Sequence, residues 1–84
     1  MFSVEYSKSA ARALRKMPGN VRSLIFKKVS ELAKAPKAMR NVKKLTDHPG
    51  YRLRVGDWRI VYLVNQGRLV IVVVKIEPRG GVYK

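Results

Sequence analysis

Residues 51–64 read YRLRVGDWRIVYLV, and the spacing within this stretch decides the fold. Tyr51–Val55 and Trp58–Val64 have the composition and alternation of strands, and Gly56-Asp57 between them is a two-residue hairpin signal. A two-residue turn sets the register. Val55 lies opposite Trp58, Arg54 opposite Arg59, Leu53 opposite Ile60, Arg52 opposite Val61 and Tyr51 opposite Tyr62. Side chains alternate along a strand, so Arg52, Arg54 and Arg59 share one face of the sheet, while Tyr51, Leu53, Val55, Trp58, Ile60 and Tyr62 share the other. Like charges directly across a ladder are destabilising. Three arginines so placed are either plain solvated charge on a basic surface, or a face built to hold a phosphate. Bidentate guanidinium contacts to a phosphate would relieve the repulsion.

The segment that follows extends this hairpin. Gln66-Gly67 reads as a second two-residue turn before a strand from Arg68 to Ile76, which sets Arg59 opposite Val74, Val61 opposite Val72 and Leu63 opposite Val70. The arginine face then runs into an apolar strip of Val61, Leu63, Val70, Val72 and Val74. Residues 69–76, LVIVVVKI, are apolar on both sides, the pattern of a central strand covered on both faces.

Toward the N-terminus, residues 2–6 (FSVEY) alternate as a half-buried strand. Ser7 can cap a short helix from Lys8 to Lys16, broken by Pro18-Gly19. A second helix from Asn20 to Lys34 carries Val21, Leu24, Ile25, Val29 and Leu32 as one apolar stripe. Ala35 to Asn41 reads as a loop, and Val42 to Leu45 as a short strand before the turn at residues 46–50. The order is β-α-α-β-β-β-β. This is an α+β fold over residues 1–84, in which an N-terminal strand and a helical hairpin pack on an antiparallel sheet of three to four strands. Two helices cover only one face of such a sheet, so part of the arginine face and its apolar strip calls for cover from a partner or from residues after the last strand, and a partner is expected.

Composition narrows the function. The 84 residues hold 19 Lys and Arg against 5 Asp and Glu, a net charge of +14. With 46% hydrophobic residues that charge sits on a folded domain, not on a disordered basic tail. A polyanionic partner is implied, nucleic acid first. There is no cysteine, which excludes disulfides and thiolate zinc sites, and one histidine with five scattered acids offers no metal site. No apolar run reaches the ~18 residues of a membrane span, and none at the N-terminus suits a signal peptide. A cytoplasmic protein with no cofactor, metal or membrane association is expected.

YRLRVGDWRIVYLV, followed by VIVVVKIEPRGGVY, resembles the RelE family of small basic type II toxins, members of the RelE/ParE superfamily. The likeness extends over nearly the whole chain, from the opening strand to the terminal R-x-x-V-Y. The resemblance implies a metal-independent endoribonuclease that cleaves messenger RNA in the ribosomal A site. In that chemistry the 2′-hydroxyl attacks the adjacent phosphorus. It implies site residues Arg52, Arg54, Arg59, Arg79 and Tyr83: the arginines clamp the scissile phosphate, and the tyrosine stacks on a base or moves a proton. It also implies the ribosome and mRNA as partners, and an acidic RelB-like antitoxin that covers the arginine face in a toxin–antitoxin hetero-oligomer. Two departures stand out. Relatives often have lysine where this chain has Arg52 and Arg54, and a histidine or lysine where it has Pro78. Arginine clamps phosphate well but is a poor base, so the proton acceptor is not assigned.

His48, in a Pro-Gly turn, is more simply a loop residue than a catalyst. Trp58 is expected to pack toward the helices rather than stack on a base. Lys8, Arg12, Arg15, Lys16, Arg22, Lys27 and Lys28 read as solvated helix faces or a footprint on ribosomal RNA. The competing functions are a ParE-like toxin acting on DNA gyrase, a non-enzymatic RNA-binding module, and a degenerate toxin that keeps only its antitoxin surface.

Overall fold

The computed structural model describes residues 1–36 and 41–78. Its elements are β1 (Ser3–Tyr6), α1 (Lys8–Arg15), α2 (Gly19–Lys34), β2 (Val42–Lys44), β3 (Tyr51–Val55), β4 (Trp58–Asn65) and β5 (Val70–Pro78). The strands form one sheet in the order β1-β5-β4-β3-β2. β1 joins as a fifth strand, parallel to β5, and every other pairing is antiparallel. β5 therefore lies inside the sheet, as its two-sided apolarity requires.

The helices lie on one face. Ala10, Leu14 and Met17 from the α1 end of the chain and Ile25, Val29, Leu32 and Ala33 of α2 close over Leu53, Val55, Ile60, Tyr62, Ile71, Val73 and Ile76. Leu24 is a correction to the apolar stripe of α2: it is 43% exposed, and Ala33 takes its place among the buried residues. The stripe turns with the 3.6-residue period, and Leu24 falls at its margin. Ser7 caps α1, its hydroxyl accepting from the Ala10 N–H at 3.1 Å and donating to the Val74 carbonyl at 2.8 Å. The helix start is thereby tied to β5. Arg22 is not simply solvated: its guanidinium donates at 3.2 Å to the Leu14 carbonyl, which also accepts from the Met17 N–H at 3.2 Å, and so ties α2 to the end of α1.

The β3–β4 hairpin has the register set by its turn: Val55 pairs with Trp58, Arg54 with Arg59, and so on to Tyr51 with Tyr62. Gly56 has φ +57°, and no other residue of that turn has a positive φ, the pattern of a type II′ hairpin. The β4–β5 hairpin differs from expectation. Its loop is Gln66–Leu69, four residues rather than two, with the Asn65 side chain accepting from the Arg68 N–H at 3.0 Å and Leu69 at φ +55°. Leu63 consequently pairs with Val72 and Asn65 with Val70. A register shift between Val61 and Tyr62 then leaves Val74 as the extra residue of a bulge, so Val61 pairs with Lys75 and Arg59 with Glu77, not Val74.

Candidate phosphate-binding face

The sheet face away from the helices is the candidate site. Lys43 pairs with Arg52 across β2–β3, Arg52 with Val61 and Arg54 with Arg59 across β3–β4, and Arg59 with Glu77 across β4–β5. Paired residues point to the same side, so Lys43, Arg52, Arg54 and Arg59 form one cationic field. The structure thus brings together three of the five residues expected at the site. The other two, Arg79 and Tyr83, lie outside the described residues.

Two depressions flank Arg52 and Arg54. One, of about 150 Å³, is lined by Arg52, Arg54, Trp58 and Arg59. The other, of about 220 Å³, is lined by Asn41, Val42, Lys43, Arg52 and Arg54. Trp58 packs against the core as expected and also borders the first depression. Guanidinium groups lining concave surroundings are suited to phosphate oxygens, since each offers a planar fork of donors.

A third, wider depression of about 450 Å³ adjoins these, lined by Leu45, Thr46, His48, Arg59, Val61, Val74, Lys75 and Glu77. The loop between β2 and β3 forms one wall. That wall helps explain why Val61, on the face opposite the core, is only 8% exposed. His48 is fixed within it: its Nδ1 accepts the Gly50 N–H at 2.8 Å. Gly50 sits so close to β4 that a Cβ there would fall 2.7 Å from the Tyr62 carbonyl oxygen.

Glu77 places a carboxylate on the arginine face. One oxygen lies 3.6 Å from Arg59 Nη1 and the other 3.5 Å from Lys75 Nζ. Arg59 and Glu77 are largely shielded, at 19% and 21% exposure. Sequence reasoning missed Lys43, Lys75 and Glu77 here. Lys75 and Glu77 reach this face only through the bulge at Val74, for which the strand sequence carries no signal; the six-residue connection before β3 gave no register for Lys43. Among the described residues no cluster of His, Cys, Asp and Glu could hold a metal ion, and no helix is long and apolar enough to cross a membrane.

A basic face on a five-stranded sheet backed by two helices defines a class of protein. The family profile described as the ParE toxin of type II toxin–antitoxin systems, parDE, matches residues 4–83. The chain belongs to this toxin family, and its relatives place it with the RelE toxins. It is 33% identical over 88 residues to the provisionally designated toxin RelE1 of Methanocaldococcus jannaschii, covering 99% of this chain and 96% of that one. The archaeal RelE–RelB complex from Pyrococcus horikoshii superposes with a TM-score of 0.82 at 30% identity, over 94% of this chain and 96% of the other. The intact Escherichia coli RelBE toxin–antitoxin complex superposes with a TM-score of 0.80 at 25% identity, over 93% and 96%.

Proposed function

We propose that this toxin is a ribosome-dependent endoribonuclease that cleaves mRNA in the A site and so inhibits translation. The observation that carries the reading is the direct pairing of Arg54 with Arg59, with Arg52 on the same face. Like charges held across a ladder lower stability; Glu77 offsets part of that charge at Arg59, and a scissile phosphate adds counter-charge to the field as a whole. Arg52, Arg54 and Arg59, with Arg79, clamp that phosphate and stabilise the charge that accumulates as the 2′-oxygen attacks. Tyr83 stacks on a neighbouring base. The exposed cations Lys8, Arg12, Arg15, Lys16 and Lys27 on the helices dock the toxin electrostatically on ribosomal RNA.

The partner in the cell is an antitoxin with an acidic, amphipathic segment. Its acids neutralise the arginines, and its apolar side lies on the strip of Leu63, Val72 and Val74, which is half-buried in the free chain. The solved relatives in complex with RelB support such an assembly.

A second reading, a ParE-like toxin acting on gyrase, is favoured by the description of the matching profile. Expression of the toxin, with the 5′ ends of cellular mRNA mapped and plasmid supercoiling measured, separates the two. Codon-phased cuts that vanish in Arg59→Ala and Arg79→Ala are expected. Toxicity with altered supercoiling and no cuts would establish the gyrase reading instead.

A further inference from the structure

Attack by a 2′-hydroxyl needs a proton acceptor, and the arginine clamp contains none, because a guanidinium stays protonated at any working pH. Two other groups border the same face. His48 is held as a donor: its Nδ1 lone pair is engaged by the Gly50 N–H at 2.8 Å, which in the neutral ring leaves the proton on Nε2. Accepting a second proton would break that bond. Glu77 is different. It is the one acidic residue lining these three depressions among the described residues, and it shares the third with Arg59. Its contacts to Arg59 and Lys75, at 3.6 and 3.5 Å, are longer than the ~2.7–2.9 Å of a charge-assisted hydrogen bond. Both carboxylate oxygens therefore keep lone pairs for an incoming hydroxyl.

We propose that Glu77 is the proton acceptor for the attacking 2′-hydroxyl, an assignment that rests on the endoribonuclease reading. Arg59 borders both the phosphate depression and the Glu77 depression, so a phosphate on Arg54 and Arg59 presents its attached ribose toward Glu77. The 2′-O–H proton passes to the carboxylate as the 2′-oxygen bonds to phosphorus. The bond from phosphorus to the 5′-oxygen breaks, and that oxygen takes a proton from solvent water. The products are a 2′,3′-cyclic phosphate and a 5′-hydroxyl, and Glu77 returns its proton to solvent. Arg59 and Lys75 hold the carboxylate in place between turnovers.

The same contacts would also exist if Glu77 only neutralised two cations, and the two roles respond oppositely to Glu77→Gln. The test uses purified toxin on ribosomes programmed with a defined mRNA, with single-turnover cleavage followed across pH. Affinity is measured on the same mRNA carrying a 2′-deoxyribose at the cut site, and folding by circular dichroism. Glu77→Gln is expected to bind the deoxy message at least as tightly as wild type and to cleave roughly 10²–10⁴-fold more slowly. It should also lose the rise of rate with pH on the acid side, while Glu77→Asp retains that rise at an intermediate rate. The charged and titratable neighbours that shape this profile are Arg59 and Arg54 on the adjoining strands, Lys75 on β5 and His48 in the loop. Wild-type rate and pH profile in Glu77→Gln would overturn the assignment and leave the endoribonuclease reading intact. A wild-type toxin that makes no cuts would overturn both.

Discussion

Arg54 is exposed and stands directly across the ladder from Arg59, a placement that weakens the sheet locally by up to about 1 kcal/mol. Arg54→Ala removes the repulsion and no burial, so its urea midpoint is expected at or above the wild-type value. Cleavage by the same variant is expected to fall roughly 10²–10³-fold, the usual loss when one group stabilising transition-state charge is removed. Opposite signs in the two measurements mark a residue kept for function; a fall in both would mark a structural one. Tyr62 makes a separate prediction. Burial, with a smaller coulombic contribution from the neighbouring Tyr51 phenol, pushes its phenol up to about 12. The folded state thus holds this proton after the unfolded chain has lost it. The stability from Tyr62 is complete below pH ~10 and declines as pH rises toward about 12. Tyr62→Phe cannot ionise, so chemical denaturation from pH 8 to 11.5 should show a shallower alkaline decline. Burial raises Tyr6 as well, and that residue accounts for part of the decline that remains.

Among the elements, the two hairpins differ in what their sequences reveal. Gly56-Asp57 offers one turn geometry, so Arg52, Arg54 and Arg59 could be set on one face from spacing alone. Gln66-Gly67 also looks like a tight turn, yet the chain passes through it into a four-residue loop that ends on Leu69 in the left-handed region. Nothing in a leucine announces that conformation. It is held from outside the hairpin, by the Ser3 N–H donating to the Leu69 carbonyl at 2.9 Å. The bulge at Val74 is likewise supported from a distance, by the Ser7 hydroxyl. The loop shifts the register by two residues, which keeps the expected faces as far as the bulge; loop and bulge together move Arg59's partner from Val74 to Glu77 and bring Lys75 and Glu77 onto the arginine face. Leu69→Gly is expected to raise stability by about 1 kcal/mol, since a side chain in the left-handed region costs roughly 1–2 kcal/mol and glycine, lacking a Cβ, escapes that cost. Ser7→Ala should cost about 1–2 kcal/mol through the lost cap and the stranded carbonyl. Equilibrium urea unfolding measures both, and equal midpoints for wild type and Ser7→Ala would contradict the tie between α1 and the bulge.

For the whole molecule, the net charge of +14 separates into two populations. Lys8, Arg12, Arg15, Lys16 and Lys27 on the helices are exposed, whereas Lys43, Arg52, Arg54, Arg59 and Lys75 lie on one sheet face, with the Glu77 carboxylate beside Arg59 and Lys75. Docking by the first population should be strongly salt-dependent. If six to ten phosphates are neutralised, affinity for programmed ribosomes should drop roughly 10³–10⁵-fold between 50 and 200 mM salt. A flat response would rule out electrostatic docking. In the proposed endoribonuclease the second population clamps the scissile phosphate, and cleavage itself tests that role most directly. Purified toxin is incubated with ribosomes stalled on a defined mRNA, and the ends of any fragments are analysed. The expected result is a single cut at the A-site codon leaving a 2′,3′-cyclic phosphate, absent with Arg54→Ala and Arg59→Ala combined. Intact mRNA in the presence of folded wild-type toxin would contradict the phosphate-clamp account of the arginine face.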